Sequence, residues 1–377
     1  MGRGRRDIAR GKPLRRMACL PLLALILLAA SGRANAQMQD PSPWSTCAAP
    51  DSLTRALERI ARRVGGEIGI AAIHLESGVT ASVNGDRRFP MASVSKVPMA
   101  LEFLRRVDAG EVSMDERLVL PITEFRPGNS PLASWSGGRP VTVTVDSLFR
   151  LMIKVSDNTA TDAILGMAGG PERVTNRLRE LGIEDMDVDR SEARTFADLV
   201  GIPDTVPESE LYRYNHFRMR DALPDSVRQA ARIAYGSDPR DTATPEATAR
   251  LMAELWRGAG LTRESRDLLI ETMQASRSGP RRLRGHLPSG TPVAHKTGTM
   301  AAAVNDVGII TLPDGAGHLA VAVYVNTLHR TTYRRERTIA QASRALYDYF
   351  RAADAVTGPM ASACRPPARY PATPAGR

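Results

Sequence analysis

The chain has 377 residues, with 51 Lys plus Arg against 41 Asp plus Glu and a formal net charge of +10. Its hydrophobic content of 42% and charged content of 24% are ordinary for a soluble globular protein, which excludes wholesale disorder. Three cysteines are too few for a disulfide scaffold or a cysteine-rich zinc module.

Residues 1–36 have the pattern of an export signal. A basic stretch precedes an apolar run over residues 20–30, and Ala34-Asn35-Ala36 forms an A-x-A cleavage pattern. The apolar run is about half of the ~20 residues that span a bilayer, which argues against a membrane anchor. We therefore predict a periplasmic or secreted protein without stable membrane insertion.

This leader accounts for most of the positive charge. It holds eight basic residues and one acid, so the remaining chain has 43 basic and 40 acidic residues and a net charge of +3. No basic run interleaved with aromatic residues remains in the sequence, and we therefore predict no nucleic-acid partner.

Two cysteines remain after the leader, Cys47 and Cys364, near opposite ends of the chain. An oxidising compartment favours a disulfide between them. The alternative is a pair of free thiols in the two terminal segments.

The first elements after the leader are predicted to be one helix and two strands. Residues 51–64 have the spacing of an amphipathic helix, with Asp51 or Ser52 as the N-cap. Residues 67–75 and 79–83 have the composition of a strand pair.

A long helical middle follows, and the end of the chain returns to strands. Helical spacing covers residues 91–109, 145–155, 159–168, 171–181, 245–258 and 262–275. Strand patterns cover residues 292–296, 304–312 and 318–326, and the last helix covers residues 333–351.

Strands at both ends of a helical middle predict an α/β fold of the α+β sandwich type. We expect one antiparallel sheet from the N- and C-terminal segments, flanked by helices, in a lobe of residues 48–90 and 245–352. Residues 91–244 would form an inserted all-helical lobe. Residues 353–377, rich in Pro, Ala and Arg, are predicted to be disordered.

The first pattern that suggests chemistry is Ser93-Val94-Ser95-Lys96, at the start of the first long helix. A serine at a helix N-terminus and a lysine one turn later lie on the same face. The positive end of the helix dipole favours a nearby oxyanion. These are the needs of a serine nucleophile with an amine base. The alternative for Ser93 is a simple N-cap.

Two further triplets, Ser156-Asp157-Asn158 and Lys296-Thr297-Gly298, suit the same chemistry. A second serine can relay a proton to a leaving group, and the Asn158 amide can orient a substrate carbonyl. A lysine and a hydroxyl at a strand edge suit a substrate carboxylate. Gly298 admits substrate backbone, and the next amide, that of Thr299, can donate to an oxyanion. Taken singly, the triplets are explained as helix caps and a strand end, but their combination favours one active site.

Lysine usage supports the same site. Only four of the 51 basic residues are lysines, and two of the three outside the leader, Lys96 and Lys296, lie in these patterns. The sequence has no G-x-S-x-G elbow and no H-E-x-x-H helix, which disfavours other serine hydrolases and zinc hydrolases.

The three motifs resemble those of class A β-lactamases and related penicillin-binding proteins, over about residues 51–350. The resemblance implies a β-lactamase/transpeptidase-like fold and a monomer that acts on a small β-lactam without a metal or other cofactor. It implies that Ser93 is the acylated nucleophile and Lys96 its proton-transfer partner. Ser156 would pass a proton to the lactam nitrogen.

The resemblance also implies how the substrate is held. Asn158 would bind the substrate amide, and Lys296 and Thr297 the carboxylate. The backbone N–H groups of Ser93 and Thr299 would bind the oxyanion, and Gly298 would also belong to the substrate-binding residues. Glu124-Phe125-Arg126-Pro127 resembles the segment that carries the family's aromatic gate, which makes Phe125 its counterpart.

Asp189-Arg190-Ser191-Glu192 resembles the family's loop with the deacylating carboxylate. Glu192 would then activate the hydrolytic water, and Asp241 would close the loop on Arg190. The alternative for Glu192 is a solvated loop carboxylate.

The sequence departs from the family pattern at this loop. Thr195 and Phe196 stand where Leu and Asn are usual, and the stretch from 192 to 241 is extended by an insertion around residues 203–239. Val307 stands where the family has an arginine, and Arg334 or Arg335 could replace it.

We therefore predict a serine β-lactamase that forms a Ser93 acyl-enzyme, which is deacylated by water that Glu192 activates. Two alternatives share the acylation step. One is a D-alanyl-D-alanine carboxypeptidase or transpeptidase, and the other is a penicillin-binding protein that deacylates slowly.

Overall fold

A five-stranded antiparallel sheet forms the centre of residues 47–352, the part of the chain that the computed structural model describes. In chain order the strands are β1 (Glu67–His74), β2 (Thr80–Val83), β3 (Phe89–Pro90), β4 (Arg117–Leu120), β5 (Val141–Thr144), β6 (Thr242–Ala243), β7 (Val293–Met300), β8 (Ala303–Thr311) and β9 (His318–Asn326). The central sheet has the order β2-β1-β9-β8-β7. The prediction that both ends of the chain build one antiparallel sheet is confirmed.

Eight of the twelve helices in the described residues were predicted, in the same chain order, and the four at residues 131–135, 192–200, 213–222 and 225–234 were not. The twelve are α1 (Asp51–Val64), α2 (Lys96–Asp108), α3 (Pro131–Trp135), α4 (Val145–Lys154), α5 (Asn158–Met167), α6 (Pro171–Glu180), α7 (Glu192–Val200), α8 (Arg213–Ala222), α9 (Asp225–Ala234), α10 (Pro245–Arg257), α11 (Arg263–Gln274) and α12 (Thr332–Phe350). The N-cap of α1 is Pro50, without a side-chain hydrogen bond, so the predicted cap at Asp51 or Ser52 is wrong. Asp51 instead lies in the first turn, where its negative charge is favourable.

The central strands are apolar along nearly their whole length because both faces of the sheet are covered. On one face, Leu57 of α1, Val325 of β9 and Ile339 of α12 belong to one buried cluster. On the other face, Ala249 of α10 and Tyr324 of β9 belong to a second cluster that continues into the helical middle. The sheet is therefore a rigid base from which β7 presents the Lys296 triplet.

The middle of the chain is not all helical as predicted. β3 pairs with β6, and β4 pairs with β5, in two small antiparallel ribbons. Strands of two to four residues are too short for their periodicity to be recognised in the sequence. The β3–β6 pair joins residues 89–90 to 242–243 and so brings together the two ends of the predicted helical insertion.

Several predictions concern the ends of the chain. The predicted leader, residues 1–36, and the predicted tail, residues 353–377, lie outside the described residues. Cys47 is disulfide-bonded, but Cys364 also lies outside, so their pairing stays a prediction. Between residues 47 and 352, no helix combines the length and the apolar composition that crossing a membrane requires.

Candidate active site

Ser93 lies in a 3-10 turn, Ala92–Ser95, that leads directly into α2. The α-helix itself begins at Lys96 rather than at Met91 as predicted. Ala92 has a positive φ of 48°, a conformation that is rare for a residue with a side chain. Such local strain is common beside reacting groups. The turn leaves Ser93 partly exposed while its neighbours in the turn are buried.

Lys96 is fully buried and contacts three residues from distant parts of the chain. Its Nζ donates to Asn158 Oδ1 at 2.8 Å, to Ser156 Oγ at 3.2 Å and to the Ser156 carbonyl at 3.1 Å. It also lies 3.1 Å from Glu192 Oε1. Lys96 therefore joins the nucleophile's helix to the start of α5 and the start of α7.

Ser156 lies between two buried lysines. Its Oγ accepts hydrogen bonds from Lys96 Nζ and, at 3.0 Å, from Lys296 Nζ. Ser156 has a positive φ of 60°, and the Asp157 side chain caps α5 by accepting from Ala160 N. The break between α4 and α5 thus places the Ser156 hydroxyl between the two lysines.

Lys296 is fully buried on β7. Burial, reinforced by the positive charge of Lys96, lowers the pKa of Lys296 well below its ordinary value. Two lysines that share one hydroxyl acceptor repel each other, so an anion at this point would be favourable.

Gly298 brings β7 against the turn of the nucleophile. A Cβ at this position would collide with the Met91 carbonyl oxygen, so only glycine permits this approach. Beside it, Thr297 Oγ1 donates to Ser278 Oγ at 2.7 Å, and the Thr299 residue is exposed. The turn that carries Ser93 therefore lies directly against the strand that carries Thr299.

Sequence reasoning missed Arg282. This guanidinium, 5% exposed, donates from Nη2 to Thr299 Oγ1 at 2.7 Å and from Nη1 to the Gly298 carbonyl at 3.0 Å. The suggested replacement, Arg335, donates instead to the carbonyls of Ala302 and Thr327. Arg282 is thus the arginine that the fold brings to the end of β7.

Glu192 is the first residue of α7 and is 6% exposed, which contradicts the alternative of a solvated loop carboxylate. Its backbone N–H donates to Asp162 Oδ1 at 2.7 Å. Asp162, a second residue that sequence reasoning missed, also pairs with Arg126 Nε at 2.7 Å. Burial, with the Glu192 charge adding and Arg126 opposing, raises the pKa of Asp162 to about 6.

The predicted contact of Arg190 with Asp241 is present. Arg190 Nε lies 2.6 Å from Asp241 Oδ2, and its Nη1 lies 2.7 Å from Asp198 Oδ2 and 3.0 Å from Asp238 Oδ2. Three carboxylates around one guanidinium, which is 4% exposed, close the loop between α7 and β6.

Phe125 does not line an open mouth. It is 4% exposed and belongs to the main hydrophobic cluster. The inserted helix α8 covers its segment, since Arg213 N donates to the Phe125 carbonyl at 2.6 Å. The expectation of an aromatic gate at Phe125 is therefore not supported by its position.

The insertion packs on the outer side of α7 instead of extending into solvent. Ala193 and Ala197 of α7 form a small apolar cluster with Leu211 of the insertion. The insertion's Tyr235 is buried against Ala92 and Met300. Phe196, which replaces the usual Asn, lies edge-on to His216 of α8, with ring centroids 6.5 Å apart.

The fold and these contacts define a serine hydrolase in which a buried lysine and a buried glutamate, rather than a histidine, adjoin the serine's turn. The family profile described as "Beta-lactamase enzyme family" matches residues 52–350. The chain belongs to this family.

Individual relatives cover most of the chain. Beta-lactamase VEB-1 of Pseudomonas aeruginosa is 26% identical over 308 residues, which are 80% of this chain and 91% of that protein. The crystal structure of a beta-lactamase from Chitinophaga pinensis is 29% identical, with a TM-score of 0.65 over 79% of this chain and 98% of that one. A mutant of the last common ancestor of Gram-negative bacteria class A beta-lactamase is 30% identical, with a TM-score of 0.64 over 80% and 99%.

Proposed function

We propose that this protein hydrolyses the amide bond of β-lactams through an acyl-enzyme on Ser93. The proposal is supported above all by the contact of 3.1 Å between Lys96 Nζ and Glu192 Oε1, beside the turn of Ser93. This pair supplies both a proton acceptor for the serine and a carboxylate base for a later water.

In the acylation step, Ser93 Oγ attacks the lactam carbonyl and its proton passes to the Lys96–Glu192 pair. The backbone N–H groups of Ser93 and Thr299 stabilise the oxyanion. As the C–N bond breaks, the nitrogen takes the proton of Ser156, and Lys96 replaces it with the proton that came from Ser93. Because Ser156 Oγ accepts from both Lys96 and Lys296, its own proton is free to be donated.

The substrate carboxylate binds at Lys296 and Thr297. Arg282, which donates to Thr299 Oγ1, adds a positive charge that attracts the carboxylate. Burial and the positive charge of Lys96 lower the pKa of Lys296, and a bound substrate anion opposes this shift by favouring the charged ammonium. Asn158 holds the substrate amide through its side-chain carboxamide.

In the deacylation step, Glu192 removes a proton from water, which attacks the ester carbon. The bond to Ser93 Oγ breaks, and the serine regains its proton. Neither the peptidase alternative nor the slow-deacylating alternative needs Glu192. Glu192 is only 6% exposed and is paired with Lys96. We take this as support for hydrolysis, since a buried carboxylate without a role in the reaction would only cost stability.

We also infer that the protein acts outside the cytoplasm as a monomer, on the basis of the A-x-A leader pattern and the resemblance. The alternative is that the enzyme stays anchored in the membrane. Fractionation of cells that express the full chain would then find it in the membrane fraction.

The deciding experiment uses the chain without residues 1–36 and a chromogenic cephalosporin. We expect catalytic turnover that Ser93→Ala abolishes, and a Ser93 adduct that persists in Glu192→Gln. The matched controls Ser343→Ala and Glu180→Gln should retain parental rates. Turnover that survives Ser93→Ala would refute the nucleophile. Turnover unchanged in Glu192→Gln would favour the peptidase mechanism.

A further inference from the structure

A small cavity lies between α7 and the turn of Ser93. Its volume is about 10 Å³, and its lining includes Glu192 and Thr195 of α7 and Ser95 of the turn. This volume is close to the least that holds one water molecule, which also needs two to four polar partners.

Two of the three hydroxyl-bearing residues of the lining, Ser95 and Thr195, can turn their hydroxyl groups to the cavity, and the third is Tyr235. Ser95 is 7% and Thr195 8% exposed, yet within residues 47–352 neither hydroxyl takes part in a hydrogen bond. Other buried helical threonines behave differently: Thr161 and Thr338 each donate to the carbonyl four residues earlier, at 2.6 and 3.0 Å.

Glu192 supplies the third polar group. Its Oε1 lies against Lys96 Nζ, which leaves the other carboxylate oxygen for a further partner. The apolar part of the lining comes from Met99 and from Ala92, Met300 and the ring of the insertion's Tyr235, the last three of which form one cluster. A water here would therefore meet the Glu192 carboxylate and the hydroxyls of Ser95 and Thr195, with the Arg190–Asp241 ion pair also in the lining.

The position of this cavity suits a reacting water. Ala92 directly precedes Ser93, and Ser95 is two residues beyond it in the same turn. Phe196, which stands where the family has Asn, packs towards Gly128 and the Asn158 amide. The usual amide partner of the water is thus replaced by a ring that faces another part of the site.

We propose that Ser95 and Thr195 hold the hydrolytic water against Glu192 in this cavity. The inference rests on the proposed function and assigns the residues that make its second step possible. The water gives a proton to the Glu192 carboxylate while its oxygen bonds to the acyl carbon. The ester C–O bond then breaks, and Ser93 Oγ takes the proton back from Glu192.

The test uses Thr195→Val, Ser95→Ala and the double variant. A penicillin and intact-mass measurement give the acylation and deacylation rates separately. We expect deacylation to slow about tenfold in each single variant and about a hundredfold in the double variant, in the range of a weakened general-base step. Acylation should remain within twofold of the parent. Where deacylation limits turnover, kcat and KM should fall together with kcat/KM unchanged.

Two matched controls test a merely structural effect. Thr338→Val and Ser343→Ala also remove buried hydroxyls, but those donate to backbone carbonyls of α12 and of residue 283. They should leave deacylation unchanged. An acylation rate retained by the site variants shows that they are folded.

Two outcomes would overturn the inference. If the parent hydrolyses the penicillin and the double variant deacylates at the parental rate, the inference alone is wrong. If the parent shows no hydrolysis at all, the proposed function is wrong, and the inference is wrong with it.

Discussion

Asn305 of β8 donates a hydrogen bond of 3.1 Å from its Nδ2 to the carbonyl oxygen of Met91, two residues before Ser93. The same Nδ2 donates to the Pro90 carbonyl at 2.9 Å, and the side chain is 1% exposed. Since Asn305 is paired with Gly298 across the strands, one side chain joins the two segments that carry the oxyanion donors.

The first prediction concerns this connection. Asn305→Ala should slow acylation about 100-fold with little change in substrate affinity, because a displacement of ~1 Å in a reacting group costs about that factor. Single-turnover kinetics with a chromogenic substrate measure it. Asn326→Ala, at the end of the neighbouring strand β9, is the control. A lowered melting temperature with an unchanged acylation rate would show that Asn305 has only a structural role.

Asp162 gives a prediction on pH. Burial raises its pKa from the ordinary 3.8 to about 6, so the folded protein binds this proton more tightly than the unfolded chain. The contribution to stability is complete below pH 4 and is lost as the pH rises through 6. At ~1.4 kcal/mol per pKa unit, the loss is about 3 kcal/mol.

Asp162→Asn removes this titration. Relative to the variant, the parent's free energy of unfolding should fall by about 3 kcal/mol between pH 4 and pH 7, as measured by urea denaturation. The control Asp51→Asn changes a side chain that is 91% exposed and should leave the pH profile unaltered. Parallel profiles for Asp162→Asn and the parent would contradict the shift.

A site residue could be predicted from the sequence where its functional partners lie within a few residues of it in the chain. Ser93 and Lys96 share one turn, and Ser156 and Asn158 share one helix start, so their local spacing, taken in combination with the Lys296 triplet, indicated the chemistry. Asp162 could have been found by the same reasoning, since it lies four residues after Asn158 on the same face of α5.

Arg282 could not be found in this way. It comes from the segment between α11 and β7 and reaches the end of β7 through contacts with Gly298 and Asn305, which no periodicity encodes. Phe125 illustrates the opposite error. Its motif was recognised, but its ring is buried in the main hydrophobic cluster and the inserted α8 bonds to its backbone, and the packing of an insertion cannot be inferred from the motif that it covers.

Arg282 carries a prediction on substrate binding. Arg282→Leu should raise KM about 10- to 100-fold for substrates with a free carboxylate, the effect of about 1.5–3 kcal/mol from one charged hydrogen-bonding group. Arg282→Lys retains the charge and should recover part of the affinity. An esterified substrate is the control, since it lacks the anion. An equal loss with the ester would show that Arg282 only supports the fold of β7.

Asp238 provides a prediction on how the insertion is attached. Burial alone would raise its pKa, but the hydrogen bonds from Arg240 and the charge of Arg190 outweigh burial and lower it from 3.8 to about 2. Its side chain is 14% exposed. The stabilisation of about 2 kcal/mol is therefore present above pH 4 and is lost as the pH falls through 2.

Asp238→Asn should lower the free energy of unfolding at pH 7 by that amount and speed hydrogen exchange in α9. Asp225→Asn, at a site 90% exposed on the same helix, should do neither. If Asp238→Asn left α9 as protected as in the parent, the insertion would be held by its apolar contacts with α7 rather than by Arg190.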